Sequence, residues 1–203
     1  MGDNTSLAYQ QIHIGDKFLW KGQDRGRDYE QIFADQDLRG KYVLDIGSNL
    51  GYFSLRSAYE GAAQVVGIDI SEVLVRKARE FAKNLDMCNV HFFSADIIKD
   101  FPCGVRGMKF DYVLCLNVLH HLRDISCVKR VLRVLQSFIS GSGEMWFSVV
   151  IPKDKRLWSK KSIPKKRLAI APKFFKHYWP NFYCSVMPSL SRKSRRLIQI
   201  QVT

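Results

Sequence analysis

The sequence predicts an α/β fold: a three-layer sandwich with helices on both faces of a mostly parallel, seven-stranded-type sheet. Three observations carry this. Five apolar runs of strand length alternate with helical stripes between residues 41 and 151. The runs are nearly continuous in apolar character, as strands buried on both faces require. The first run ends in a glycine-marked turn that leads into a helix, the arrangement of a parallel βα unit.

Taken in order, residues 1–26 read as irregular, with Trp20, Gly22 and Arg25 in LWKGQDR. Arg27–Gln36 places Tyr29, Ile32 and Phe33 on one helical stripe. Lys41–Ile46 is the first strand; after the turn, a helix runs from about Leu50 to Gly61, a residue suited to a C-terminal cap. Gln64–Ile70 is the second strand. Ser71 can cap the helix after it, whose Leu74, Ala78, Phe81 and Leu85 recur at steps of four, three and four. Asn89–Asp96 and Phe110–Val118 are the third and fourth strands. Asp124 can cap a helix with Val128, Val131, Leu135 and Ile139 as its stripe, and Gly143–Ile151 is the fifth strand. Beyond Pro152 the alternation fails. A Lys-rich, Pro-punctuated stretch leads to the aromatic segment Phe174–Tyr183 and a final strand, Arg195–Val202.

The chain has 203 residues, 46% of them hydrophobic, enough for one domain with a sizeable core. No run approaches the length of a membrane span, and the start lacks a charged-then-apolar leader, so no transmembrane segment is expected. The five cysteines form no C-x-x-C pair and are odd in number, which suits reduced thiols in a cytoplasmic protein and no metal site. Charge is unevenly placed. Residues 1–150 hold 18 Lys and Arg against 18 Asp and Glu, whereas residues 151–203 hold 14 against one, the whole of the net +13. A neutral body with a basic end points to a polyanionic partner (nucleic acid, phosphorylated substrate or membrane surface) or to a solvated face.

Chemistry concentrates at VLDIGSNLGYFS, Val43–Ser54. In an open parallel sheet, ligands sit beyond the carboxyl ends of the strands, where this turn falls. A dinucleotide would require G-x-G-x-x-G to seat its pyrophosphate. Here Gly47 and Gly51 are separated by Ser48, Asn49 and Leu50, and no third glycine follows. Asp45 precedes the turn, Asp69 ends the second strand and Asp96 the third. Asp69 can accept hydrogen bonds from two ribose hydroxyls, and Asp96 can meet an adenine amino group. Three acids at consecutive strand ends suit a nucleoside without a pyrophosphate.

This joint pattern is similar to that of class I S-adenosylmethionine-dependent methyltransferases, a Rossmann-like family. VLDIGSNLGYFS resembles the family's first motif, VVGIDIS its ribose motif, FFSADI its adenine motif and FDYVLCLNVLHHL its fourth-strand motif, in order between Val43 and Ile151. Asn49 stands where the family commonly has another glycine; asparagine tolerates left-handed torsions, so the turn is expected to survive. Within the family, LRGKYVLDIG and LNVLHHLRD look like the group modifying the wobble uridine of transfer RNA, and like several small-molecule and sugar methyltransferases.

The resemblance implies S-adenosyl-L-methionine as cofactor. Asp45, Gly47 and Gly51, with Ser48 and Asn49 of the same turn, would line its methionine part. Asp69 would bind the ribose, Ile70 would pack on the adenine, and Asp96 with the Ile97 amide would read the adenine edge. Asn117 would meet the amino group through its backbone carbonyl. It also implies a division into an N-terminal segment covering the cofactor site (1–40), a cofactor-binding core (41–151) and a basic acceptor-side region of the same domain (152–203).

Methyl transfer is an in-line displacement, so positioning supplies much of the rate, and a base matters only when the acceptor must lose a proton. His120 and His121 lie where the methyl group would emerge and are candidate bases; they also suit a helix start or packing under a loop. No N/D-P-P-Y/F motif and no clustered Asp/Asp/Asn set is present, which disfavours attack by an exocyclic base amine and a magnesium site. Trp20, Lys21, Arg25 and Arg27 could cover the cofactor or touch its carboxylate. Lys153–Arg167 carries eight basic residues, followed by Phe174, Phe175, Tyr178, Trp179 and Tyr183, which could stack an acceptor or pack as core. The expectation is an anionic or sugar-like small-molecule acceptor. RNA bound through the basic region, or a non-catalytic cofactor-binding partner subunit, are the alternatives.

Overall fold

The computed structural model describes residues 9–150, 174–175, 179, 182–188 and 195–202. An antiparallel hairpin opens it, β1 (Ile12–Ile14) and β2 (Lys17–Trp20), turning at Gly15 with φ +59°. The hairpin corrects the irregular reading of residues 1–26 at Ile12–Trp20, and residues 1–8 lie outside the described residues. Strands of three and four residues give little periodicity, although Ile12 and Ile14 do alternate buried with exposed His13.

Helix α1 (Gly26–Phe33) buries Tyr29, Ile32 and Phe33, the expected stripe. There follow β3 (Tyr42–Ile46), α2 (Tyr52–Tyr59), β4 (Gln64–Asp69), α3 (Glu72–Asn84), β5 (Val90–Ser94), β6 (Phe110–Cys115), α4 (Ile125–Phe138), β7 (Ile139–Val150), β8 (Phe182–Pro188) and β9 (Arg195–Val202). Both predicted caps form. Ser71 Oγ accepts from the Leu74 amide, and Asp124 Oδ1 accepts from the Ser126 and Cys127 amides, each at 2.9 Å.

The seven-stranded sheet has the order β5-β4-β3-β6-β7-β9-β8. The first five pair in parallel, and β9 pairs antiparallel with both neighbours. The last strand in sequence is therefore interior, while β8, unexpected from the sequence, forms the edge. β7 starts at Ile139, four residues earlier than expected. With φ −71° and ψ 140°, Ile139 has left helical torsions and pairs with Phe110, so it begins a strand and does not end the α4 stripe. β6 ends at Cys115, three residues early, because Asn117 takes φ +64°, which no strand can continue through.

Apolar layers fill both faces. On one, Ile12, Ile14, Tyr29, Phe53, Leu114 and Trp146 pack together. On the other, Val128, Val131 and Leu135 of α4 meet Leu44, Val113 and Phe147. These three α4 side chains are fully buried, worth about 1.5–3 kcal/mol apiece. Phe175 and Trp179 join this layer, 5.0 and 5.9 Å from the Phe147 ring, and Trp179 Nε1 donates to Gln136 Oε1 of α4 at 2.9 Å. Those two aromatics are thus core, whereas Tyr183 on β8 is exposed. Tyr178 and Lys153–Arg167 lie outside the described residues.

A buried carboxylate ties β7 to β9. Glu144 accepts from Trp146 Nε1 (3.1 Å), Gln199 Nε2 (3.0 Å) and Gln201 Nε2 (2.6 Å).

Candidate functional site

A cavity of about 660 Å³ opens at the carboxyl ends of β3, β4, β5 and β6, a size typical of cofactor sites. A shallower depression of about 610 Å³ lies between α3 and the outer edge of β5, where the Arg79 guanidinium is spent on the Phe92 carbonyl.

The turn after β3 is shaped by left-handed torsions at alternate residues: Gly47 (φ +73°), Asn49 (φ +55°) and Gly51 (φ +85°). Asn49 therefore makes the turn that the extra glycine would have made. The Gly47 and Ser48 amides both donate to the Ile68 carbonyl, at 2.7 and 3.0 Å, pulling the turn toward β4. A Cβ on Gly47 would lie 2.3 Å from Val118 Cγ2, so this glycine admits the loop after β6 into the cavity wall. A Cβ on Gly51 would lie 2.6 Å from Phe92, so that glycine serves core packing.

Asp69 ends β4, half-buried at the centre of the wall. Its Oδ2 accepts from the Asn49 amide at 2.8 Å and its Oδ1 from the Ser71 amide at 3.0 Å. Each carboxylate oxygen keeps a lone pair. Ile70, 71% exposed, stands at the rim, with Ala95, Ile97 and Ile98 across the cavity. Asp96 lies between Ala95 and Ile97, its Oδ1 accepting from the Ile98 amide at 3.0 Å.

The loop after β6 forms the remaining wall, with Leu116, Asn117, Val118, His120, His121 and Leu122. Ser148 Oγ of β7 donates to Asn117 Oδ1 at 3.2 Å. A 3-10 turn at Leu119–His121, closed by the His121 amide on the Val118 carbonyl at 2.8 Å, stacks the two imidazoles 4.1 Å apart. His120 is 3% exposed and His121 is open to solvent.

Of the residues singled out from sequence, Gly47, Asn49, Asp69, Ile70, Asp96, Ile97, Asn117, His120 and His121 come together on this cavity. Asp45, Ser48 and Gly51 do not line it and support the turn from behind. Asp45 is buried and accepts from Ser54 Oγ at 2.7 Å. Burial pushes its carboxyl up to about 7; the Ser54 hydrogen bond opposes the shift and the negative charge of Asp69 adds to it.

Trp20, Lys21, Arg25 and Arg27 do not line the cavity either. Trp20 packs on Phe81 of α3 under the Lys77 ammonium. Arg25, 1% exposed, pairs with the fully buried Asp28 at 2.5 Å. Among the described residues, the N-terminal contribution is instead Tyr9, which the sequence reading missed. Its carbonyl accepts from the Gln23 amide at 2.7 Å, and neighbouring Gln10 Oε1 accepts from the Tyr52 amide at the start of α2. No local motif marks Tyr9, because it reaches the site through pairing with residues distant in sequence. Leu74 was visible only as part of a helical stripe.

A wall combining a doubly anchored carboxylate, a second acid and apolar side chains can hold a nucleoside: diol on Asp69, flat base between Ile70 and Ile97, base edge at Asp96. Its far end opens at two imidazoles. Among the described residues, no cluster of three or more His, Cys, Asp or Glu side chains could hold a metal ion, and no helix is long and apolar enough to cross a membrane.

Comparison with known proteins bears on the fold and the family. The fold is similar to magnesium protoporphyrin IX methyltransferase from Synechocystis PCC 6803, with TM-score 0.68, 22% identity, and 86% of this chain and 80% of that chain covered. In sequence, the chain is 34% identical over 119 residues to a tRNA U34 carboxymethyltransferase of Campylobacter hominis, covering 56% of this chain and 38% of that protein. It is 31% identical over 116 residues to a ubiquinone biosynthesis O-methyltransferase of Coxiella burnetii, covering 56% and 45%. The chain thus spans less than half the length of these two relatives. The family model for a methyltransferase domain matches residues 37–150, which contain β3 through β7 and nearly all of the cavity wall, and the chain belongs to that methyltransferase family.

Proposed function

We propose that the protein is an S-adenosylmethionine-dependent methyltransferase of the cytoplasm, acting on an anionic or sugar-like small molecule. The observation that carries this is Asp69. It is fixed by the Asn49 and Ser71 amides with both oxygens still able to accept, in one cavity with Ile70, Ile97 and Asp96. These residues fit the cofactor: a diol for Asp69, a heteroaromatic ring for the two isoleucines, an exocyclic amine for Asp96. The spacing of the β3 turn leaves no pyrophosphate seat.

Bound there, S-adenosylmethionine would supply an electrophilic methyl group. The Gly47–Asn49 turn and Asn117 would hold its amino-acid end. Tyr9 would cover part of the cavity from the N-terminal side, helping to exclude water. His121, exposed at the mouth, would take a proton from an acceptor hydroxyl, and His120 beneath it would fix the ring by stacking. The core then corresponds to residues 41–151, with residues 1–40 as cover and 152–203 on the acceptor side. Five cysteines, odd in number and without a C-x-x-C pair, support a reducing compartment.

A second reading is an RNA acceptor. It is favoured by the tRNA U34 relative and by α4, which exposes Lys129, Arg130 and Arg133 with no acid between Ile125 and Phe138. RNA affinity falling steeply with salt would support it; salt-insensitive binding would exclude it.

The deciding experiment is calorimetry with S-adenosylmethionine on the parent and on Asp69→Ala. Loss of two charge-assisted hydrogen bonds should weaken binding by at least tenfold. Equal affinities would refute the assignment of Asp69, and absence of binding by the parent would refute the cofactor. Binding without turnover on small-molecule, glycan or RNA pools would point to a non-catalytic partner subunit.

A further inference from the structure

Ser148 is 1% exposed, one of few fully buried polar side chains in the sheet. Its neighbours Phe147 and Val149 face the α4 layer, so strand alternation turns Ser148 to the opposite face, with Trp146. A buried hydroxyl needs a hydrogen-bond partner. Here the partner is Asn117 Oδ1, at 3.2 Å, on the neighbouring strand connection.

Asn117 holds φ +64°, a left-handed torsion that asparagine tolerates better than other residues with a side chain but less readily than glycine. Surroundings can tip an asparagine toward that torsion and hold it there. Two contacts do so. Val118, the next residue, is wedged against Gly47, whose missing Cβ leaves it room. Ser148 grips the Asn117 side chain from β7. The reversal at Asn117 sends the chain back along the cavity as Val118, His120 and His121.

We propose that Ser148 is a positioning residue: its hydroxyl pins Asn117 in the left-handed conformation, so that β7 sets the placement of the Leu116–Leu122 wall relative to the bound cofactor. This rests on the cofactor reading above, and it gives a role to a residue that neither motif nor cavity contact singles out.

The test is a double-mutant cycle with Ser148→Ala, Asn117→Gly and the pair, read by calorimetry with S-adenosylhomocysteine. It is paired with amide spectra of the cofactor-free proteins. Ser148→Ala should weaken binding about fivefold, the worth of one neutral hydrogen bond. Glycine adopts the left-handed torsion unaided, so in the Asn117→Gly background Ser148→Ala should have no further effect. The cofactor-free Ser148→Ala protein should show displaced amide signals across Leu116–Leu122. A residue that merely fills space in β7 would give additive effects. Additive effects, affinity of Ser148→Ala within twofold of the parent, or unmoved Leu116–Leu122 amides would each overturn the proposal. If the parent fails to bind, the cofactor reading falls, and the cofactor-free spectra still decide whether Ser148 pins the wall.

Discussion

Asp45 sits behind the glycine turn, and replacing it with asparagine should make the protein's stability less dependent on pH. Burial is the main reason its carboxyl is pushed from 3.8 to about 7, about three units. At about 1.4 kcal/mol per unit, the ionised native carboxylate costs about 4 kcal/mol relative to the unfolded chain. The folded group binds its proton more tightly than the unfolded one. Its cost is therefore absent below pH 3.8, grows as pH rises toward 7, and is complete above 7. Asparagine keeps an oxygen for the Ser54 hydroxyl and has no charge to bury. Any unmet amide hydrogen adds an offset that does not change with pH. Urea unfolding at pH 4.5 and pH 8 should show the Asp45→Asn stability, taken relative to the parent, rising by about 3 kcal/mol across that interval. Parallel curves with a constant offset would refute the reasoning, because the native carboxyl would then titrate as it does in the unfolded chain.

Gly47→Ala places a Cβ 2.3 Å from Val118 Cγ2 at a left-handed residue, so a loss of about 2–4 kcal/mol in urea unfolding is expected. Adding Val118→Ala should recover the steric part, leaving the torsional cost; no recovery would mean that the clash is not with Val118. Glu144→Ala strands the Trp146, Gln199 and Gln201 donors between β7 and β9, at about 2–4 kcal/mol, measured by the same unfolding curves. Glu144→Gln, which keeps two acceptor lone pairs, should lose about half as much, and a loss equal to that of alanine would argue against the hydrogen bonds as the cause.

Much of the fold was legible because β3, β4 and β6 are buried on both faces, and burial on both faces imprints on local sequence. The same physics explains what was hidden. β8 is an edge strand with Tyr183 and Val186 exposed, and its burial alternates irregularly. β1 and β2 are too short for a period to emerge, and only Gly15-Asp16 between the isoleucines and Phe18 marks their turn. At the site, Asp69, Asp96 and Asn117 were readable because ends of parallel strands converge by topology. The motif could not separate residues that line the cavity from those that brace it. Asp45 and Gly51 are as regular a part of it as Gly47, but Asp45 turns to Ser54 and Gly51 to Phe92. Tyr9 was invisible for the opposite reason: its position depends on backbone pairing with Gln23, which leaves no trace in side-chain pattern.

The interior position of β9 bears on how the chain folds as it is synthesised. β7 leaves the ribosome about 45 residues before β9, at a synthesis rate of roughly 5–20 residues per second. For those seconds its β9-facing edge is an unpaired row of backbone donors and acceptors, with the Glu144 carboxylate lacking both glutamine partners. Leu197, Ile198 and Ile200, the apolar side chains that complete both layers under that edge, arrive last. The emerging chain thus passes through an interval in which a nearly complete sheet presents an open edge, and a chaperone that shields such edges would have its greatest effect on yield there.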